Sequence, residues 1–169
     1  MGSGYRIARS TFLALYGIIT IALALSIKEF GIYFGVILMI STAISSIFIF
    51  LHFDKKIDKN IIIEIAMDGF AGLIIFTYPD PTDRFFMLDF SFWIAVMGML
   101  YMVKGLFDKK SSKYLWLYVL SGIMMIVLGF IILNYSTDYL GSVSYLIGIV
   151  LSYYGLLSIY LEKVDKQIS

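Results

Sequence analysis

The chain has 169 residues, 60% of them hydrophobic and 15% charged, with a formal net charge of +1. A water-soluble domain is about 45–50% apolar and about 25% charged. This composition therefore excludes a soluble globule, and the near-neutral balance excludes the basic field of a nucleic-acid binder. No cysteine is present, which removes disulfides, thiolate metal sites and a cysteine nucleophile.

In chain order, Met1-Gly2-Ser3-Gly4 reads as a linker or expression scar, and residues 1–7 as a tail. The apolar run that follows, 11–27, is longer than a signal-peptide h-region and is read as a retained membrane span. A bilayer core about 30 Å thick requires roughly 20 apolar residues per helix. Stretches at 10–27, 30–53, 61–78, 85–107, 114–133 and 139–161 meet or approach that length. Runs such as Ile18-Ile19-Thr20-Ile21-Ala22-Leu23 do not alternate, so they are helices rather than barrel strands. The breaks are polar: Lys28-Glu29, then 54–60, then Tyr78-Pro79-Asp80-Pro81, then 108–113 and 134–138.

The basic residues divide unevenly between the two sides. Arg6, Arg9, Lys55, Lys56, Lys59, Lys104, Lys109, Lys110, Lys113, Lys163 and Lys166 fall on one side, Lys28 and Arg84 on the other, 11 against 2. The positive-inside rule then places both termini in the cytoplasm. The opposite side carries Glu29, Asp80, Asp83, Asp89 and Asp138, read as solubilising loop charge. The lysine runs around positions 55 and 110 are read as this topology signal rather than as anionic-lipid sites.

Gly17, Gly69 and Gly122 recur at spacings of 52 and 53 residues, each inside the first helix of a two-helix unit. The expected fold is all-α: six transmembrane helices arranged as three parallel-repeat hairpins at 8–53, 60–107 and 114–162, with a cytoplasmic tail at 163–169. Small residues mark where helices approach in lipid. Gly141, Ser144, Gly148, Ser152 and Gly155 line one face of the sixth span. Gly72, the Gly98/Gly105 and Gly122/Gly129 pairs and the GxxxG at Gly31 and Gly35 carry the same signal, read as internal packing ahead of a dimer face.

The third span, Met67-Asp68-Gly69-Phe70-Ala71-Gly72 running to Tyr78-Pro79-Asp80, resembles the acidic-Gly…Gly…Trp-Pro-Gly pattern of the HdeD-like membrane proteins. Ser121-Gly122…Gly129, Leu146-Ile147-Gly148 and Tyr154-Gly155-Leu156 follow the same pattern, while Lys28-Glu29 stands where a proline turn is usual in the first hairpin. The resemblance covers 8–162. It implies a small prokaryotic inner-membrane protein built from a repeated hairpin, with a role in acid or envelope stress and no catalytic residues to carry over.

Chemistry is sparse. Glu64 and Asp68 lie one turn apart on one helix face, with Asp68 roughly 11 Å deep at 1.5 Å per residue. An ionised acid at a helix centre costs roughly 2.5–3.5 kcal/mol on insertion scales, so these residues need partners or a proton. Lys104 and Tyr101 on the fourth span lie at matching depths. A Glu64–Lys104 ion pair and an Asp68–Tyr101 hydrogen bond are therefore expected, with a protonated Asp68 as the sensor alternative. His52 is the only histidine and forms no metal or triad set. The chain lacks P-loop, HExxH and GxSxG motifs. The expectation is a non-enzyme with no cofactor or metal, whose partners are the lipid bilayer and either a second copy or a larger membrane complex. Two other functions stay open: a small proton- or ion-linked transporter using Glu64 and Asp68, and an accessory subunit of such a complex.

Overall fold

Helices account for nearly all of the described residues because lipid leaves a backbone no other way to satisfy its own hydrogen bonds locally. The computed structural model describes residues 2–51, 59–78, 82–107, 114–135 and 140–168. These form six helices: α1 (Gly2–Ala22), α2 (Ile27–Leu51), α3 (Lys59–Thr77), α4 (Asp83–Phe107), α5 (Leu115–Leu133) and α6 (Leu140–Ile168). Among the described residues there is no strand. Five helices, α2 to α6, are long and apolar enough to cross a membrane. Ile19, Ile40, Leu73, Phe92, Val127 and Ile149, one from each helix, stand exposed. An apolar flank on every helix is the surface of a protein solvated by lipid rather than water. The proline turn at 79–81, the lysine-rich segments 52–58 and 108–113, His52, and Asp138 with Tyr139 lie outside the described residues.

The first helix departs from the expected span at both ends. It begins at Gly2 and contains Arg6 and Arg9, so these residues belong to neither a tail nor a loop. Both are buried. It also stops five residues before the expected end, at Ala22. The reason lies in Ser26-Ile27-Lys28-Glu29. The Ser26 hydroxyl accepts the Glu29 N–H at 3.2 Å, and the Glu29 carboxylate accepts the Ser26 N–H at 3.0 Å. This reciprocal capping box starts α2. The chain reverses just before it, with Ala24 in the left-handed region at φ 47°. Thr82 does similar work at the start of α4, where its hydroxyl accepts the Phe85 N–H at 3.3 Å.

The helices pack chiefly as three pairs: α1 with α6, α4 with α5, and α2 with α3. Glycine permits the two closest crossings. A methyl group on Gly17 would stand 2.6 Å from the Gly148 carbonyl oxygen, and one on Gly155 2.5 Å from that of Ser10. In α4/α5, a methyl group on Gly122 would stand 2.5 Å from the Gly98 carbonyl oxygen. Backbones that approach this closely gain dispersion contacts that side chains would block. The α2/α3 pair is looser. Gly72 faces the Gly35 carbonyl across a wider gap, Gly69 meets the Thr42 side chain, and a cleft of about 470 Å³ remains beside Thr42, Ser46, Ile62 and Gly69. Gly31 presses on the Phe86 ring and Gly35 on Ile75, so the GxxxG of α2 packs inside this chain. The surroundings of Gly141 lie outside the described residues.

The bundle interior changes character along its length. Around one end, Tyr16, Phe30, Phe34, Phe90 and Trp93 form a continuous aromatic cluster with centroid separations of 5.2–6.1 Å. Toward the other end the interior holds charged side chains from α1, α3, α4 and α6.

Candidate functional site

Asp68 is the centre of the polar end. It sits in the middle of α3, where Gly69 beside it and Gly72 one turn on keep that helix close to α2. Its carboxylate is fully buried. Arg9 of α1 meets it edge to edge, with Nε to Oδ2 at 2.7 Å and Nη2 to Oδ1 at 2.6 Å. The Trp93 indole N–H donates to Oδ1 at 3.0 Å, and the Ser41 hydroxyl donates to Oδ2 at 3.2 Å. Four donors occupy the four lone-pair positions of an ionised carboxylate. The fork-to-fork arginine pair is the strongest geometry available to such a group. The structure thus pairs the Asp68 carboxyl directly with Arg9.

Arg9 is itself well held. Its Nη1 donates to the Tyr154 hydroxyl at 2.8 Å and lies 3.8 Å from Glu64 Oε2. Its guanidinium carbon stands 5.9 Å from the Trp93 ring centroid and 5.8 Å from that of Tyr154. Delocalised charge over aromatic faces lowers the cost of keeping a cation out of water.

The network continues outward through Glu64. Arg6 donates to Glu64 Oε1 at 2.9 Å and to Glu162 Oε1 at 3.0 Å. Lys104 reaches the same Glu162 oxygen at 3.5 Å, with its ammonium 5.3 Å from the Tyr118 ring. Tyr101 is hydrogen-bonded to Ser158 of α6. Two pairings expected from the sequence are thereby replaced. Glu64 takes Arg6 and Arg9 as its ion partners instead of Lys104, which pairs with Glu162. Asp68 takes Arg9, Trp93 and Ser41 instead of Tyr101. The physical reason is the packing order: α1 lies against α6, and its arginine face turns toward α3 and outcompetes a lysine and a phenol for the carboxylates.

Glu64, Tyr101 and Lys104 nevertheless share one site, lining the same cleft as Arg6, Arg9, Tyr154 and Glu162. Its free space is about 10 Å³, room for at most one water. Three cations and three carboxylates make the site neutral as a whole. Reasoning from sequence missed Arg6, Arg9, Trp93 and Glu162. A signal existed for two sets: Arg9, Leu13, Tyr16 and Thr20 share one helical face, as do Tyr154, Ser158 and Glu162 at steps of four. Charged members of an otherwise buried face mark an interior position. The packing glycines lie elsewhere along the same interfaces, with Gly17, Gly148 and Gly155 joining α1 to α6 and Gly122 joining α5 to α4.

Compared with known proteins, residues 69–134 match a family described as a short repeat of unknown function (DUF308). That stretch runs from the middle of α3 through the end of α5. No curated protein and no solved structure matches the chain.

Proposed function

We propose that this is a non-enzymatic, multi-pass protein of a prokaryotic cytoplasmic membrane, of the HdeD type, contributing to protection against acid or envelope stress. The observation that carries the reading is the short-repeat match over 69–134, a repeat that the HdeD family also carries. The strongest helix pairs, α2/α3, α4/α5 and α6/α1, each join one expected hairpin to the next, so the three-hairpin reading is supported by the glycine spacing of 52 and 53 residues and not by these contacts. The basic bias supports cytoplasmic termini even after Arg6, Arg9 and Lys104 are assigned to the interior, because it then stands at eight against two.

The site acts as a lock between helices. It ties the N-terminal helix to α3 and α6, with α4 joined through Lys104 and Trp93. A proton- or ion-linked transporter using Glu64 and Asp68 draws less support, because both carboxylates are ion-paired and the cleft that Glu64 lines has only about 10 Å³ of free space. Survival after an acid challenge tests the stress reading, comparing cells with and without the chain. Expression is expected to raise survival at acid pH and leave growth at neutral pH unchanged. Equal survival at every acid pH would sink the proposal.

A further inference from the structure

The bundle holds a further buried carboxyl whose surroundings are the reverse of those at Asp68. Asp89, expected from the sequence as an outer loop charge, lies within α4, six residues past Asp83 and roughly 9 Å along the helix axis. It is 5% exposed, and its Oδ2 is buried with no hydrogen-bond partner. Its neighbours along the helix face are apolar. Phe86 and Phe90 are fully buried beside it, and Trp93 stands one turn further on. One turn earlier, Phe85 stacks on Tyr78 at the end of α3 with centroids 4.3 Å apart, which closes this end of the α3/α4 interface.

Among the described residues, the elements packed on α4 bring no counter-charge to Asp89. The α5 sequence carries no charged residue. On α3, Glu64 and Asp68 are committed to arginines in the other half, Lys59 is the first residue of the helix at that far end, and 69–77 carries no charge. On α2, Lys28 and Glu29 lie at its exposed start. Asp83 and Arg84 belong to the first turn of α4 itself. On α1 and α6, Arg6, Arg9 and Glu162 are held in the other half, and the titratable tyrosines of this end among the described residues are Tyr16, whose hydroxyl donates to the Phe30 carbonyl, Tyr145 near the start of α6, and Tyr33, Tyr78 and Tyr135 near helix ends. Asp80 and Asp138 lie outside the described residues.

We propose that Asp89 is a proton-binding site: its carboxyl holds a proton in the folded protein and is the group through which this half of the bundle responds to pH. An ionised carboxylate with an open oxygen in an apolar interior is among the costliest groups a membrane protein can bury. A proton removes that cost without requiring a cavity, a metal or a partner side chain. Asp68 and Asp89 then divide the roles: Asp68 is paired with an arginine, and Asp89 is a neutral acid. The proton is bound by the folded form, so raising the pH works against the fold and lowering it favours the fold.

Infrared spectroscopy of the purified protein in lipid nanodiscs at neutral pH tests it. The wild type is expected to show the C=O stretch of a protonated carboxylic acid, which Asp89→Asn removes and the exposed-end control Asp83→Asn keeps. The wild-type melting temperature is expected to fall as the pH is raised, and that of Asp89→Asn to stay level over the same range. Absence of the band from the wild type, or its persistence in Asp89→Asn, overturns the proposal. If Asp89→Asn does not fold, Asp89→Leu replaces it, since leucine forfeits no hydrogen bond at Oδ2. Failure of both variants to fold also overturns it, because a neutral acid must tolerate a neutral replacement.

Discussion

The interior around Arg9 and the interior around Phe34 are built from opposite materials, and they meet at Trp93. At the Arg9 end, helices are joined by ion pairs whose partners come from distant parts of the sequence: Arg9 with Asp68, Arg6 with Glu64 and Glu162. At the Phe34 end, they are joined by ring contacts such as Phe34 with Trp93 at 5.2 Å and Phe30 with Phe90 at 5.6 Å. Trp93 belongs to both, with its rings among the aromatics and its N–H on Asp68. The contrast teaches what specifies a bundle in lipid. Acyl chains solvate aromatic rings nearly as well as other rings do, so apolar contact supplies fit more than driving force. A buried charge has no such substitute, so each carboxylate selects one arrangement of helices over the rest.

The largest effect should follow from breaking the charged end at its centre. Arg9→Met leaves Asp68 with only the Trp93 and Ser41 donors. Removing one partner of a buried pair costs about 3–5 kcal/mol, and chemical or thermal unfolding in micelles measures it. The double change with Asp68→Leu should recover part of that loss, because no charge is then stranded. If the double variant is as unstable as the two single losses added together, the pair is not the lock described here.

A smaller effect should come from the aromatic end, and one pair of variants sharpens the boundary. Phe34→Ala opens a cavity beside Phe30, Phe90 and Trp93. Its cost should fall below the roughly 3–5 kcal/mol of the same truncation in a water-soluble core, since no transfer from water is lost. Trp93→Phe keeps a ring in place but removes the N–H to Asp68 and part of a buried ring, so its loss should exceed the roughly 1.5 kcal/mol of that hydrogen bond alone. A Phe34→Ala loss exceeding that of Arg9→Met would reverse the ranking of the two ends.

The smallest effect is expected at the edge of the network. Lys104→Met removes a contact of 3.5 Å to a Glu162 oxygen that keeps Arg6 at 3.0 Å. The remaining cation limits the loss to about 1 kcal/mol or less, within the range of an ordinary hydrogen bond. Unfolding of Lys104→Met alongside Glu162→Gln checks this. A Lys104→Met loss matching that of Arg9→Met would show that the network is centred on Glu162 rather than on Asp68.

The sequence by itself determined that this is a helical membrane protein, where most of its helices run, and that Glu64 and Asp68 need partners. Those properties follow from local quantities: the length of an apolar run, the position of a polar break, and the cost of one acid at one depth. The S-x-x-E at Ser26–Glu29 was equally local and sufficient to start α2, yet the apolar run across it suggested a longer first span. Partner choice was not local. Arg6 and Arg9 read as loop cations because a basic residue beside an apolar run carries the same pattern whether it faces cytoplasm or interior. Asp89 read as loop charge for the same reason, although it is buried. Only the tertiary structure decided these cases, because α1 lies against α6 and turns its arginine face to α3, while among the described residues nothing of opposite charge on α2, α3 or α5 meets Asp89. Burial and pairing depend on which faces meet, and the periodicity of one helix records its own faces without naming the neighbour.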